Sequence, residues 1–179
     1  MKKLVLPLLL VAPLAAQSFE LGLNVSRQTY KSVESTPIVE AEDKTVVAAR
    51  VGYALIDLGP ALFQVTAAYQ PKVETDLKPN GFLVPTKLGN EYWAVGAMFN
   101  FKALVAFGAG VDYRFEKTTL TNLYSSSRTY SRPWARVNAG YAFPTPLVKP
   151  FIGLEVAVPL TEKDLGPKLQ MGVYGGIRF

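Results

Sequence analysis

The sequence predicts an all-β fold, an eight-stranded antiparallel up-and-down transmembrane β-barrel formed after cleavage of a signal peptide. Three observations predict it. Eight segments alternate apolar residues with polar or small ones, and a period of two is that of a β-strand with two unlike faces. Most segments are longer than ordinary strands, which have about 5 to 6 residues. They reach the length of about 9 to 11 residues that a tilted strand needs to cross a bilayer. The connections between them alternate long and short.

The N-terminal segment has the pattern of a secretory signal. Lys2 and Lys3 are followed by an apolar, uncharged run that ends in small residues, which predicts cleavage after Ala16. This run is shorter than the about 20 residues that a membrane-spanning helix needs. We therefore expect residues 1–16 to be a signal peptide and residues 17–179 to be the barrel domain.

The first four expected strands each carry one apolar row. Residues 19–26 place Phe, Leu, Leu and Val on one face, and residues 45–56 continue with Val, Ala, Val, Tyr and Leu. A tight Asp-Leu-Gly-Pro turn leads to residues 61–73, where Gly and Pro supply the backbone angles of the turn. After a long connection, residues 91–101 alternate Trp, Val, Ala, Phe and Phe with small or polar residues.

The last four expected strands follow the same rule. Residues 104–118 come after a very short turn, and a Ser-rich connection separates them from residues 135–143. Pro133, which cannot donate to a ladder, predicts a bulge near the start of that strand. A Pro-Thr-Pro turn leads to residues 147–160. The final strand, residues 168–179, has an apolar row that ends on an aromatic residue.

Aromatic residues on the apolar face gather at the ends of the expected strands, with aliphatic residues between them. Two bands of aromatic residues, one on each side of an aliphatic belt, are typical of the two interfaces of a membrane. We therefore expect these residues to form a membrane girdle. At the short-turn end they are Phe19, Tyr53, Phe63, Phe101, Phe107, Phe143 and Phe179. At the loop end they are Tyr69, Trp93, Tyr113 and Phe115.

The opposite face combines charges with many glycines, for example Gly96, Gly108 and Gly172. A solvent-facing sheet would carry larger polar residues, whereas the narrow interior of an eight-stranded barrel needs small ones. The polar face is therefore expected to line the interior. The competing interpretation is a secreted soluble barrel that binds a ligand, with its apolar face inside.

The terminal GGIRF, the strand count and the loop asymmetry carry a resemblance to a known family. The chain resembles the small eight-stranded outer-membrane barrels of Gram-negative bacteria, the broad OmpA/OmpX/opacity group. The resemblance covers the whole mature chain and implies location in the cell outer membrane. It also implies that Ile177 and Phe179 form the signal read by the barrel-assembly machinery. Members are variously structural, adhesive or channel-like, so function stays open.

The composition indicates no enzyme, cofactor or metal site. Cysteine and histidine are both absent, which removes disulfides and the residues most used for metal binding and for general acid–base catalysis. The formal charge of +5 is too small a bias to predict binding to nucleic acid.

Four charged residues fall on the interior face and are expected to lie close together as a lumen ionic cluster: Arg50, Asp112, Arg136 and Glu155. One interpretation is a plug of satisfied ion pairs, since an unpaired charge inside the barrel is costly. The other is a polar constriction in a narrow water path. The plug is favoured, because side chains just fill an eight-stranded interior.

The expected connections at residues 28–44 and 74–90 are the longest and are candidates for contact with lipopolysaccharide or a partner. Basic residues at that end could pair with lipid phosphates: Lys31, Lys72, Lys78, Lys87, Arg128 and Arg132. The sequence thus predicts a monomeric, non-enzymatic barrel with a structural or surface-interaction role, whose partners are outer-membrane lipid and the assembly machinery. The alternative is a narrow passive channel for small solutes.

Overall fold

The structure is a computed structural model that describes residues 19–32, 39–79, 86–101, 105–121, 125–145 and 148–179. The expected signal peptide lies outside these ranges and stays a prediction. None of the described residues belongs to a helix long and apolar enough to span a membrane. The described residues form nine strands: β1 (Phe19–Tyr30), β2 (Val39–Ala41), β3 (Lys44–Asp57), β4 (Ala61–Pro79), β5 (Lys87–Phe101), β6 (Ala106–Thr121), β7 (Ser125–Ala142), β8 (Lys149–Pro159) and β9 (Pro167–Arg178).

Eight of these strands close into a barrel. Each pairs antiparallel with its neighbours in the chain, and β1 pairs with both β3 and β9, so that the first and last strands seal the sheet. The short β2 lies outside this ring and pairs only with the end of β4. The expected eight-stranded antiparallel up-and-down barrel is confirmed.

The barrel carries its polar face inside and its apolar face outside. In β1, Glu20 and Asn24 are buried in the interior, whereas the alternating Leu23 and Val25 are about half exposed on the outer surface. The same alternation runs through the other strands, where large apolar residues such as Val95 stay exposed. This is the arrangement of a transmembrane barrel, whose outer face meets lipid.

Several strands continue beyond the ends expected from the sequence. The β4–β5 ladder reaches Asp76 opposite Lys87, and the β6–β7 ladder reaches Thr121 opposite Ser125. Residues 74–79, 87–90, 120–121 and 125–127 are therefore strand, and the predicted connections at 74–90 and 120–127 were too long. Residues 80–85 and 122–124 of these connections lie outside the described ranges. Beyond the apolar belt the outer face of a strand becomes polar, so the alternation that predicts a transmembrane strand fades while the backbone pairing continues.

We call the projecting part of these strands the extension sheet: β2 with residues 73–79, 87–90, 118–121 and 125–131. Its last strand is paired on one side, because β8 ends at Pro159, opposite Trp134, while β7 continues along β6 to Ser125. The expected bulge at Pro133 is absent, since the β6–β7 register runs unbroken through this residue. Pro133 fits there because its ring nitrogen faces away from β6.

Candidate functional site

The interior is crossed by buried ion pairs, of which the most compact joins β3 to β8. Arg50 donates from Nη1 and Nη2 to the two carboxylate oxygens of Glu155, at 2.6 and 2.7 Å. Asn24 of β1 donates from Nδ2 to Oε1 of the same carboxylate, at 2.9 Å. A bidentate arginine–carboxylate pair is the strongest geometry for such a contact.

Arg136 of β7 connects this pair to β6. Its Nη2 lies 3.2 Å from Oδ1 of Asp112 and donates to Oγ1 of Thr66 at 3.2 Å. Its Nη1 lies 3.8 Å from Oε2 of Glu155. The structure thus brings the four residues of the expected lumen cluster, Arg50, Asp112, Arg136 and Glu155, together in the interior. Each is at most 7% exposed.

A fifth residue, Arg114, belongs to the same group. Its Nη2 lies 3.9 Å from Oδ2 of Asp112, and its Nη1 donates to Oε1 of Gln170 at 2.6 Å. Its guanidinium carbon lies 3.9 Å from the ring centre of Trp134 and 4.5 Å from that of Tyr92, which are cation–π contacts. The alternation places Arg114 on the face of Asp112, a signal that the prediction did not use. We call Arg114, Asp112, Arg136, Glu155 and Arg50 the central ionic row.

A second ion pair lies above the row, toward the extension sheet. Arg132 donates from Nε and Nη2 to the carboxylate of Glu116 at 3.0 and 2.9 Å, and Trp134 Nε1 donates to the same carboxylate at 2.7 Å. Arg132 also donates to the carbonyl oxygen of Pro167. The expectation that Arg132 meets lipid phosphates was wrong, because it lies on the interior face and is 1% exposed.

Both ends of the lumen are closed by side chains. At the short-turn end, Glu20 and Arg178 form an ion pair of 2.5 Å beside the buried ring of Phe151. At the other end an apolar cluster covers the lumen, formed by Tyr30, Leu77 and Leu88 with the partly buried Ala41, Leu120 and Leu165. Paired charges and caps therefore occupy successive levels of the interior.

The aromatic residues expected in the girdle lie on the outer face. Trp93 stacks on Phe115 with ring centres 3.9 Å apart, and Tyr69 is the cross-strand neighbour of Trp93. With Tyr113, the loop-end set forms an arc over β4, β5 and β6 rather than a full ring. The outer face also exposes Phe99 and Tyr141, which the sequence analysis did not include.

The expected assembly signal lies at the seam of the barrel. Phe179 donates its backbone N–H to the carbonyl oxygen of Phe19 at 2.8 Å, directly after the end of β9. Ile177 pairs with Leu21 of β1 and with Pro150 of β8. The last residues of the chain thus connect its first and last barrel strands.

Most of the basic residues expected to meet phosphate are already paired. Lys31, Lys72 and Lys78 lie 2.7, 2.8 and 3.3 Å from carboxylate oxygens of Glu162, Glu74 and Glu42. The hydrogen bond and charge of Lys31 hold the pKa of Glu162 below its usual value. This contact is therefore present above the ordinary pKa of a glutamate and is lost as the pH falls. Lys87 and Arg128 make no ion pair within the described ranges.

The outer edge of β7 is open. Pro133 accepts a hydrogen bond from the N–H of Leu160 on the side away from β6, and residues two apart in a strand point their backbone groups the same way. Ser127, Thr129 and Ser131 therefore direct their N–H and C=O groups to this edge. Among the described residues these groups have no strand partner.

Comparisons with known proteins show the fold. The chain is similar to Ail, the attachment invasion locus protein of Yersinia pestis, with 12% identity, 91% of this chain and 99% of that chain covered, and a TM-score of 0.52. It is also similar to Neisserial surface protein A (NspA), with 13% identity, 89% and 95% covered, and a TM-score of 0.49. No protein-family model and no curated protein matches the chain. At 12% identity the likeness to Ail shows the fold alone, and the fold of this chain is a closed eight-stranded barrel.

Proposed function

We propose that this protein is a non-enzymatic, monomeric barrel of the cell outer membrane that presents a strand edge for contact with a partner outside the cell. The observation that carries the proposal is the extension sheet, whose β7 edge has no strand partner among the described residues. Open strand edges bind extended segments of other chains, and natural proteins usually cover or shorten them. The filled lumen supports a role on the outside of the barrel.

The outer-membrane location rests on the apolar outer face and on the position of the extension sheet. In bacterial barrels the turns facing the periplasm are short and the longer loops face outward. The β3–β4 turn is tight, with Leu58 donating its N–H to Ala61, so it belongs on the periplasmic side. The C-terminal Ile177 and Phe179 would direct assembly into that membrane.

Single cysteines test this orientation, because the natural chain has none. In intact cells, Ser127→Cys should react with a maleimide that does not cross membranes, and the matched Leu58→Cys should react only after the outer membrane is opened. Both residues are exposed in the structure. Equal labelling of the two sites in intact cells would exclude the proposed orientation.

The partner at the β7 edge is proposed to be an extended segment with an acidic residue. Arg128 lies in the middle of the open edge and is exposed. An antiparallel pair of two copies of this edge would bring two Arg128 side chains near each other, and like charges across a ladder are destabilising. An opposite charge on the partner would favour pairing instead.

Selection of peptides from a displayed random library on the refolded barrel tests the edge. Selected peptides should lose binding to Thr129→Pro, which removes one edge-facing N–H, and should keep binding to the matched Thr129→Val, which retains it. Peptides that bind both variants alike would show that the edge is not the contact.

Contact with lipopolysaccharide is a second, finer proposal that rests on Lys87 and Arg128. Replacing both with Gln should weaken binding of purified lipopolysaccharide, whereas replacing the paired Lys72 should change it little. Binding that is unchanged by the double replacement would remove this role.

A further inference from the structure

The central ionic row has one more positive than negative charge. It alternates along the interior and both begins and ends with an arginine. The other buried pairs in the described lumen are each neutral, since Arg132 pairs with Glu116. Glu20 likewise pairs with Arg178. Arginine stays protonated in proteins, so loss of a proton cannot remove this imbalance.

The same row contains more unused donors than acceptors. Arg50 Nε, Arg114 Nε and both Nε and Nη1 of Arg136 are buried and make no hydrogen bond within the described structure. On the acceptor side, Oδ1 of Asn24 is the buried atom near the row that makes no hydrogen bond within the described structure. Water would serve donors and acceptors alike, whereas an excess of donors beside an excess positive charge favours an anion.

We propose that the lumen binds one small monovalent anion, of the size of chloride, at the N–H groups of Arg136 and its neighbours Arg50 and Arg114. Of the anions that could bind these N–H groups, a single-atom one needs the least space. The anion neutralises the row and lets the barrel bury all three arginines.

A rival explanation for the excess charge is the pair of aromatic rings around Arg114. The negative faces of Trp134 and Tyr92, together with the amide oxygen of Gln170, stabilise a cation without any bound ion. The two explanations differ in whether stability depends on the anion in solution.

Unfolding of the refolded barrel by urea in phospholipid vesicles tests the proposal. Chloride is exchanged for gluconate at constant ionic strength. Once the site is filled, the ratio of folded to unfolded protein should rise about tenfold for each tenfold increase in chloride. Bromide should replace chloride, and in a crystal soaked with bromide an anomalous peak should lie beside Arg136.

Gln170→Glu supplies the missing negative charge from within, because Gln170 Oε1 lies 2.6 Å from Arg114 Nη1. This variant should fold and lose the chloride dependence. The matched control Arg128→Gln removes a charge from the exposed strand edge and should keep it. Stability of the natural protein that does not change between chloride and gluconate, or a dependence that persists in Gln170→Glu, would overturn the proposal.

Discussion

At the scale of single residues, Glu155 connects two of the buried arginines of the central ionic row. Its carboxylate accepts from Arg50 and Asn24 and lies near Arg136, all from different strands. The alternation in the sequence predicted which residues face inward. It could not predict that Asn24 of the first strand meets Glu155, because that contact passes over β9, which lies between β1 and β8, and depends on the register of both ladders.

Replacing Glu155 with Gln should destabilise the barrel by about 3 to 5 kcal/mol, because two buried arginines lose their carboxylate. The measurement is the free energy of unfolding by urea in lipid. Glu162→Gln is the matched control, because its contact with Lys31 is exposed and screened by water, so its loss should change the free energy of unfolding little. Similar small losses in both variants would contradict the claim that Glu155 holds buried arginines in place.

At the scale of elements, the closing seam between β1 and β9 depends on close approach of the two backbones. Gly22 and Gly176 lie directly opposite each other in this ladder. A Cβ at Gly176 would overlap the carbonyl oxygen of Leu21, whereas a Cβ at Gly22 would lie 3.3 Å from the carbonyl oxygen of Gly175. The glycine-rich row was predicted to face a narrow interior, but only the structure distinguishes these two positions.

Gly176→Ala should therefore lower stability by about 1 to 3 kcal/mol through overpacking against backbone, and should lower the yield of refolded barrel. Gly22→Ala should cost clearly less, because its neighbour needs to move only slightly. The folded fraction is read from the shift between heated and unheated samples on a gel. A larger loss for Gly22→Ala than for Gly176→Ala would contradict the seam geometry.

The elements at the loop end show why sequence periodicity predicted the barrel better than the extension sheet. Within the apolar belt one face meets lipid, and Val95 alternates with Gly96 in the predicted manner. In the extension sheet, residues such as Thr75 and Ser127 lie in the parts of β4 and β7 that have no apolar outer face. Their pairing depends on the neighbouring strand and not on an apolar outer face, so the local sequence pattern underestimates the length of these strands.

The contact of the apolar belt with the membrane can be tested by placing an arginine either within the belt or on the extension sheet. Val95→Arg places a charge in the middle of the outer apolar face and should cost about 2 to 4 kcal/mol in a bilayer. Ser127→Arg, on the extension sheet, should cost close to nothing, because that site is exposed to water. Equal costs in lipid vesicles would argue that the apolar face is not the membrane contact.

At the scale of the whole molecule, a polar, filled interior is combined with an apolar outer face and a strand edge that projects from one end. The sequence predicted the number of barrel strands, the apolar face on the outside and the candidate lumen residues. Each of these follows from an alternation with a period of two. The caps on the lumen were not predicted, because Tyr30 of β1 is far in the chain from Leu77 and Leu88 and meets them only in the closed barrel. The same caps favour the plug over the channel.

Conductance of the refolded mature protein in a planar bilayer tests the central claim most directly. The filled lumen predicts a folded barrel, verified by its heat-dependent gel migration, that gives no open steps. Reproducible steps whose size changes in Arg136→Gln or Glu155→Gln would contradict the account. They would make the central ionic row the constriction of a channel instead of its plug.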